Sequence, residues 1–167
     1  RHFDQSVEVR GLAEQVVKSD QASWQLNFTT FGADALSANR AWADKMTALE
    51  QTLKAQGFKA ENIRRLPLSL SDSFGNGGNL PPLNQRFRAN GGVVVETTDV
   101  DLVDRASRTT ETFVSAGVVL DNSYVRYFFT DLNRIKPGML KAATANAREA
   151  AATFAKDSGV VVGNIKS

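Results

Sequence analysis

The chain alternates between two kinds of apolar pattern, one typical of strands and one typical of helices. Residues 7–13 and 24–29 place apolar and polar side chains at alternate positions, and Trp24, Leu26 and Phe28 share one side of the second stretch. A period of two is the pattern of a half-buried strand. The two stretches therefore predict an initial pair of strands joined as a β-hairpin.

A helical period replaces the strand pattern in residues 35–56. Spacings of four, three and four residues place one apolar stripe along this stretch, formed by Trp42, Met46, Leu49 and Leu53. Either Gly32 or Asp34 is expected to begin the helix, because both residue types are favoured just before a first turn. Gly57 is expected to end it in the left-handed conformation.

Two further helices are predicted in the second half of the chain. The first begins at Thr98 or Asp99 and continues to about Ala116, and its acidic start suits the positive end of the helix dipole. The last helix is rich in alanine. It is expected to begin with Pro137 in its first turn and to end before Gly159.

The segments between these helices predict strands and one irregular loop. Residues 66–70 alternate as a strand, which Pro67 restricts to an edge or a bulge. Residues 71–83 contain too much glycine and proline for regular structure and predict a hairpin loop. Residues 84–98 predict a longer strand with a bulge at its glycine pair, 91–92.

The order of the elements predicts the fold class. Residues 123–132 carry apolar side chains on both sides and predict a central strand covered on both faces. Residues 160–165 predict a short closing strand. The whole order predicts an α+β fold, a mainly antiparallel sheet with three helices packed on it, in one domain over residues 1–167.

Composition narrows the class of protein further. The 167 residues are 42% apolar and 23% charged, which is typical of a folded globular chain and unlike a disordered one. A net charge of +2 is too small to indicate a nucleic-acid partner.

No apolar run approaches the ~20 residues that span a bilayer. Because the chain starts at Arg1 and not at Met, we expect that an upstream segment was removed, either as a cleaved signal peptide or by trimming of a longer sequence.

Residues suited to catalysis are scarce. The chain has no cysteine and one histidine, His2, so neither a Ser-His-Asp nor a Cys-His arrangement is expected. Asp99, Asp101 and Asp104 lack the spacing of a calcium loop and suit the start of a helix. We therefore expect no catalytic residue, no cofactor and no metal site, and a protein that is not an enzyme.

Arginines on both sides of the glycine-rich loop are the candidates for binding, namely Arg64, Arg65, Arg86 and Arg88. They form either a positive patch for an anionic partner or outward positions that discourage edge-to-edge pairing of strands. The expected binding residues comprise two of these arginines and two loop residues, namely Gly75, Asn76, Arg86 and Arg88.

Two segments of the chain resemble a known family. They are GLAEQVVKSDQASWQLNF near the start and YFFTDLNRIKPGMLKAATANAREAAATFAKDSGVVVGNIK at the end. Together they resemble the SIMPL domain in its bacterial cell-envelope branch. The resemblance spans almost the whole chain and is most specific over residues 127–163.

The resemblance implies an exported α+β protein that is periplasmic or attached to the cell envelope. It also implies a role in protection against oxidative and other envelope stress, and a tendency to form oligomers, including rings. The family has no established catalytic residues, so none is carried over to this chain.

Three functions follow as expectations. The first is a non-enzymatic envelope protein that acts by self-assembly or by binding another envelope protein, with the alanine-rich helix and the glycine loop as contact surfaces. The second is a small-ligand or glycan-binding module, in which loop 71–83 closes over a pocket beside Arg86 and Arg88. The third is a hydrolase that uses carboxylates such as Glu96 and Asp99.

Overall fold

The computed structural model describes residues 4–75 and 78–159. Within them the strands are β1 (Asp4–Val9), β2 (Ala13–Lys18), β3 (Gln21–Gly32), β4 (Ile63–Arg65), β5 (Ser69–Asp72), β6 (Phe87–Thr97) and β7 (Leu120–Phe128). The helices are α1 (Ala35–Ala55), α2 (Val100–Ser107), α3 (Glu111–Ser115) and α4 (Leu132–Ser158). The predicted α+β class, with an antiparallel sheet and helices packed on it, is confirmed.

The described residues form two compact units. Residues 4–20 and 128–159 belong to the first, which we call the hairpin unit, and residues 21–127 form the second, the sheet unit. His2, Asn76 and the predicted closing strand 160–165 lie outside the described residues. The single domain over residues 1–167 stays a prediction.

The sheet unit is built on the pairing of β3 with β6. The strand order is β4-β6-β3-β7, and β5 also pairs with β6. In β3 every second side chain is buried, including Trp24, Leu26 and Phe28. The α1 stripe of Trp42, Met46, Leu49 and Leu53 is also buried, as its spacing predicts. Trp42 stacks on Phe28 with ring centroids 5.9 Å apart, so α1 and the inner side of β3 share one core.

The ends of α1 follow the sequence signals. The Asp34 carboxylate accepts a hydrogen bond from the Ser37 backbone N–H at 2.7 Å, which caps the first turn. Gly57, just beyond the C-cap, has a φ of 107°. The prediction of Asp34 and Gly57 as the boundaries is confirmed.

The hairpin unit pairs β1 with β2 and packs them on α4. The register runs from Asp4↔Lys18 to Val9↔Ala13. Its core is a small apolar cluster formed by Val7, Val9, Val17, Phe129, Ile135 and Met139. The predicted hairpin between residues 7–13 and 24–29 is wrong, because β2 is the partner of β1. The buried residues of β2 are Ala13 and Val17, four positions apart, so alternation did not reveal the strand.

The predicted bulge at the glycine pair 91–92 is also wrong. The β3–β6 register is continuous from Ala22↔Thr97 to Gly32↔Phe87. A Cβ added to Gly92 would lie 1.8 Å from the Leu26 carbonyl oxygen, and one added to Gly91 would lie 2.9 Å from the Trp42 ring. The glycines therefore allow a close approach of backbone and ring, and not an extra residue.

Two predicted helix boundaries need correction. The helix expected over 98–116 is divided into α2 and α3, because the Thr109 hydroxyl bonds back to the carbonyls of Arg105 and Ala106 and the chain turns there. The cap of α2 at Asp99 is as predicted. Pro137, expected in the first turn of the last helix, lies inside α4, which begins at Leu132.

The strand predictions also change in detail. The strand expected over 66–70 is replaced by β4 and β5, which both pair with β6 and leave Pro67 between them. The strand expected over 123–132 is β7, which stands at one end of the described strand order instead of its centre. Trp24 Nε1 donates to Ser123 Oγ at 2.8 Å on its inner side, whereas Tyr124 is 43% exposed. One face of β7 is therefore exposed, and the prediction that both of its faces are covered is wrong.

We expect Gly92→Ala to lower the free energy of unfolding by about 2–3 kcal/mol, because the new Cβ collides with the Leu26 carbonyl and forces β3 and β6 apart. Urea denaturation followed by circular dichroism measures the change. Gly75→Ala is the control, since a Cβ there meets nothing within 4 Å, and its effect should stay within about 0.5 kcal/mol. Equal effects of the two substitutions would contradict the close-approach explanation.

Candidate functional site

Arg86 follows loop 71–83 in the chain and pairs with residues at the start of that loop. Its guanidinium donates to both oxygens of the Asp72 carboxylate, at 3.1 and 2.9 Å, and lies 4.6 Å from the centre of the Phe74 ring. This pairing lowers the pKa of Asp72 and raises that of Arg86. The Ser73 backbone N–H also donates to the Arg86 carbonyl at 2.8 Å. Arg86 therefore joins the two ends of the loop, and its donors already serve that contact.

The other predicted binding residues are placed differently. Gly75 ends a 3₁₀ turn of three residues, Ser73–Gly75, and Asn76 lies outside the described residues. Arg88 lies on β6, and its nearest hydrogen-bond partner is Thr29 Oγ1 at 3.5 Å. Arg86 and Arg88 thus have different hydrogen-bond partners, and their role in binding stays a prediction.

The remaining candidate groups have structural partners. Arg64 pairs with Glu96 at 3.2 Å, and Arg65 pairs with Glu50 at 2.6 Å. Asp99, proposed with Glu96 for a hydrolase, accepts from the Leu102 backbone N–H at 3.1 Å as the cap of α2. Among the described residues, Arg88 is the member of the predicted arginine group that has no carboxylate within ion-pair distance.

Arg88 belongs to a polar network on the side of β3 that faces away from its buried residues. Gln25, Asn27 and Thr29 alternate with the core positions of β3 and are half-buried. We call this side the polar face, and its members are Gln25, Asn27, Thr29, Arg88, Asn90, Asp121, Tyr124 and Arg126. Sequence reasoning found the alternation in β3 but not the residues that other strands add to it.

Hydrogen bonds link the side chains of the polar face. The Asp121 carboxylate accepts from Thr29 Oγ1 at 2.5 Å and from Asn90 Nδ2 at 3.2 Å. Gln25 belongs to a second group on the same side, in which its amide donates to Asn27 Oδ1 at 2.9 Å and its side-chain oxygen accepts from the Tyr124 hydroxyl at 3.3 Å. Amides, a hydroxyl, a carboxylate and a guanidinium are thus held close together, and such groups hydrogen-bond to polyhydroxylated ligands.

A second candidate surface lies on the hairpin unit. Large apolar side chains are exposed there, on α4 and around the turn of the β1–β2 hairpin, namely Leu12, Val16, Leu132, Leu140 and Phe154. Phe154 is the most exposed of the α4 set at 72%. Exposed apolar side chains that cluster mark interaction surfaces more often than scattered ones do. Because the stripe of α4 matches a core pattern, sequence reasoning did not separate these positions from buried ones.

Part of this surface is concave. A groove of about 520 Å³ runs between α4 and the end of β1, and it is lined by Val9, Arg10, Leu12, Leu140, Ala143, Thr144 and Ala147. We call it the apolar groove. Alanine at positions 143 and 147 leaves room beside the helix backbone, and the Asn146 amide donates to the Leu12 carbonyl, which holds the hairpin turn against α4. Contacts within the hairpin unit therefore hold the walls of the groove in place.

Asp20 fixes the start of α4. Its carboxylate accepts from the Thr130 backbone N–H at 3.0 Å, from Thr130 Oγ1 at 3.0 Å and from the Asp131 backbone N–H at 3.2 Å. Slight burial acts to raise the pKa of Asp20, but these donors stabilise the charged form and hold the pKa below its ordinary value. The side chain of the N-cap residue Asp131 makes no capping hydrogen bond. Asp20, which lies outside the helix, supplies the cap instead.

The described residues contain no group of three or more histidine, cysteine, aspartate or glutamate side chains arranged to hold a metal ion. Among the same residues, each helix is too short or too polar to cross a membrane.

We expect Asp20→Ala to destabilise the hairpin unit by about 1 kcal/mol at pH 7, through loss of the cap. Because the folded pKa of Asp20 is lowered, its contribution is complete above the unfolded value of about 3.9 and is lost as the pH falls through the folded pKa. The difference between wild type and variant in urea denaturation should therefore shrink towards pH 2. Glu149→Ala, on exposed α4 surface, is the control and should change stability by less than about 0.5 kcal/mol. A difference for Asp20→Ala that is constant with pH would contradict the charged cap.

Comparison with known proteins gives one result on the family. No curated protein matches the chain. The family model SIMPL, described as a protein of unknown function (DUF541), matches residues 7–167. This match confirms the resemblance and its span over nearly the whole chain. The chain therefore belongs to the SIMPL family.

Proposed function

We propose that the protein acts without catalysis, by self-association through the exposed apolar surface of its hairpin unit. The observation that supports this function best is the exposure of Leu12 and Leu140 in the lining of the apolar groove, together with the exposure of Phe154 further along α4. Fully burying one such side chain is worth about 1.5–3 kcal/mol. A hairpin unit that exposes such side chains both in a groove and on a helix is suited to a protein partner.

The proposed absence of catalysis has separate support. The chain has no cysteine and only one histidine, and the carboxylates considered for hydrolysis are occupied as an ion-pair partner and a helix cap. These engagements give Glu96 and Asp99 ordinary structural roles. A purified sample assayed with generic ester, phosphate and glycoside substrates tests the proposal, and turnover above background would refute it.

The setting that we propose is the bacterial cell envelope, with protection against oxidative and other envelope stress as the benefit. Its support is the likeness of residues 127–163 to the envelope branch of the SIMPL family. Fractionation of cells that express the natural gene tests the location, and recovery of the protein only with the cytoplasmic fraction would refute it.

Self-association predicts a molar mass that rises with concentration. We expect light scattering after size-exclusion chromatography to report a multiple of the subunit mass for wild type. The double variant Leu140→Asp/Phe154→Asp should remain a monomer, because a charge at each position opposes burial. The control Ala145→Asp/Ala152→Asp changes exposed positions of the same helix and should assemble like wild type. A wild-type monomer at every concentration would refute the proposed function.

A second candidate function is the binding of a glycan or another small polar ligand on the polar face. Its support is the linked set of amide, hydroxyl and carboxylate groups around Asp121, together with an arginine that has no carboxylate partner among the described residues. The pairing of Ser71 with Arg88 in the β5–β6 register places the base of loop 71–83 next to Arg88. In this candidate function Arg88 remains an expected ligand contact, whereas Arg86 is assigned to its pairing with Asp72.

Ligand binding on the polar face predicts selective losses of affinity. We expect Arg88→Ala and Asn90→Ala each to weaken binding of a responding oligosaccharide by about tenfold, since one hydrogen bond to ligand is worth about 0.5–1.5 kcal/mol, or more when charged. Calorimetry with neutral tetrasaccharides, chitotetraose and maltotetraose, measures it. Arg64→Ala, which removes an exposed ion pair with Glu96, is the matched control. Equal losses in all three variants, or no binding by wild type, would count against this candidate.

A further inference from the structure

Phe154 protrudes from the C-terminal half of α4. It is 72% exposed, although a phenylalanine ring is among the largest apolar groups that a protein can bury. The neighbouring surface of the same helix is shallow and is formed by Asn146, Glu149, Ala150, Thr153 and Asp157. Two of these neighbours are acidic, so the ring stands on a negatively charged surround.

The apolar groove has the opposite properties. It is concave, it is lined by the apolar side chains of Val9, Leu12 and Leu140, and its charged lining residue is Arg10. Its volume of about 520 Å³ is similar to that of clefts that bind small organic ligands, roughly 300–1,000 Å³, so a phenylalanine ring has room to enter. One surface of the hairpin unit thus presents an apolar ring in an acidic surround, and another presents an apolar depression with a basic rim.

We infer that Phe154 of one copy of the chain inserts into the apolar groove of a second copy, with Glu149 and Asp157 facing Arg10 of that copy. The inference rests on the proposed self-association and names the two surfaces that meet. Opposite charges around the contact favour this pairing and fix its orientation. The partner is a copy of the chain because the chain itself carries both complementary surfaces.

Pairing of like surfaces is disfavoured by the same charges. A contact of Phe154 with Phe154 would bring the Glu149 and Asp157 carboxylates of both copies together, and like charges in close contact cost free energy. A contact of groove with groove would leave two depressions facing each other and both Phe154 rings exposed. Since ring and groove are unlike surfaces, one contact leaves a free ring on one copy and a free groove on the other, so further copies can add.

Mixing of two defective variants tests the inference. Phe154→Asp lacks the ring but keeps the groove, and Leu140→Asp lacks the groove but keeps the ring. We expect each variant alone to weaken self-association at least about thirtyfold, as loss of an interface anchor does. Mixed in equal amounts, they should form a one-to-one complex of twice the subunit mass that grows no further. Thr144→Trp, which fills the groove and keeps Leu140, provides a second groove-deficient variant.

The controls separate this inference from the proposed function. A mixture of Leu140→Asp with Thr144→Trp contains no intact groove and should remain monomeric, and thermal unfolding of each variant verifies that it is folded. If wild type assembles but the mixture of Phe154→Asp with Leu140→Asp stays monomeric, the ring-and-groove contact is wrong while self-association stands. If Phe154→Asp alone assembles like wild type, the inference is also wrong. A wild-type monomer at all concentrations would overturn both.

Discussion

The antiparallel pairing of β3 with β6 is the constraint on which the sheet unit depends. Its register is continuous from Ala22↔Thr97 to Gly32↔Phe87, so the side chains of both strands alternate in phase. One side consequently receives the core and the other receives the polar face. A shift by one residue would exchange the two sides. Gly92 permits this pairing, because its missing side chain would otherwise occupy the position of the Leu26 carbonyl oxygen.

The hairpin unit is less completely buried, and this difference explains its candidate surface. Two strands of six residues cover only part of a helix of 27 residues. The buried positions of α4 are Ile135, Met139, Ala143 and Ala155. Leu140 and Phe154 lie beside that buried stripe and remain exposed. The surface that we propose for association therefore consists of apolar residues that the small hairpin does not cover.

Local signals in the sequence predicted the elements that local atoms determine. Asp34 caps α1 through a residue three positions away, and Gly57 follows directly from the end of the apolar stripe. Predictions failed where the deciding partner is distant. The start of α4 depends on Asp20, which is 110 residues from Thr130 in the chain. The pairing of Arg86 with Asp72 likewise depends on a residue of β5 that the sequence pattern did not indicate.

The two candidate functions, ligand binding on the polar face and association through the hairpin unit, differ in the free energy that their side chains can supply. The donors and acceptors of the polar face already bond to one another, for example Thr29 and Asn90 to Asp121. A ligand there exchanges existing hydrogen bonds for new ones, so the net gain per bond is about 0.5–1.5 kcal/mol at most. Phe154 is 72% exposed and Leu140 is 48% exposed, so both can bury further apolar area against a partner. Fully burying an exposed apolar side chain is worth about 1.5–3 kcal/mol, and the part that remains for these two side chains is available only from a partner with a matching apolar surface. The proposed association through the hairpin unit therefore has the larger expected driving force of the two candidate functions.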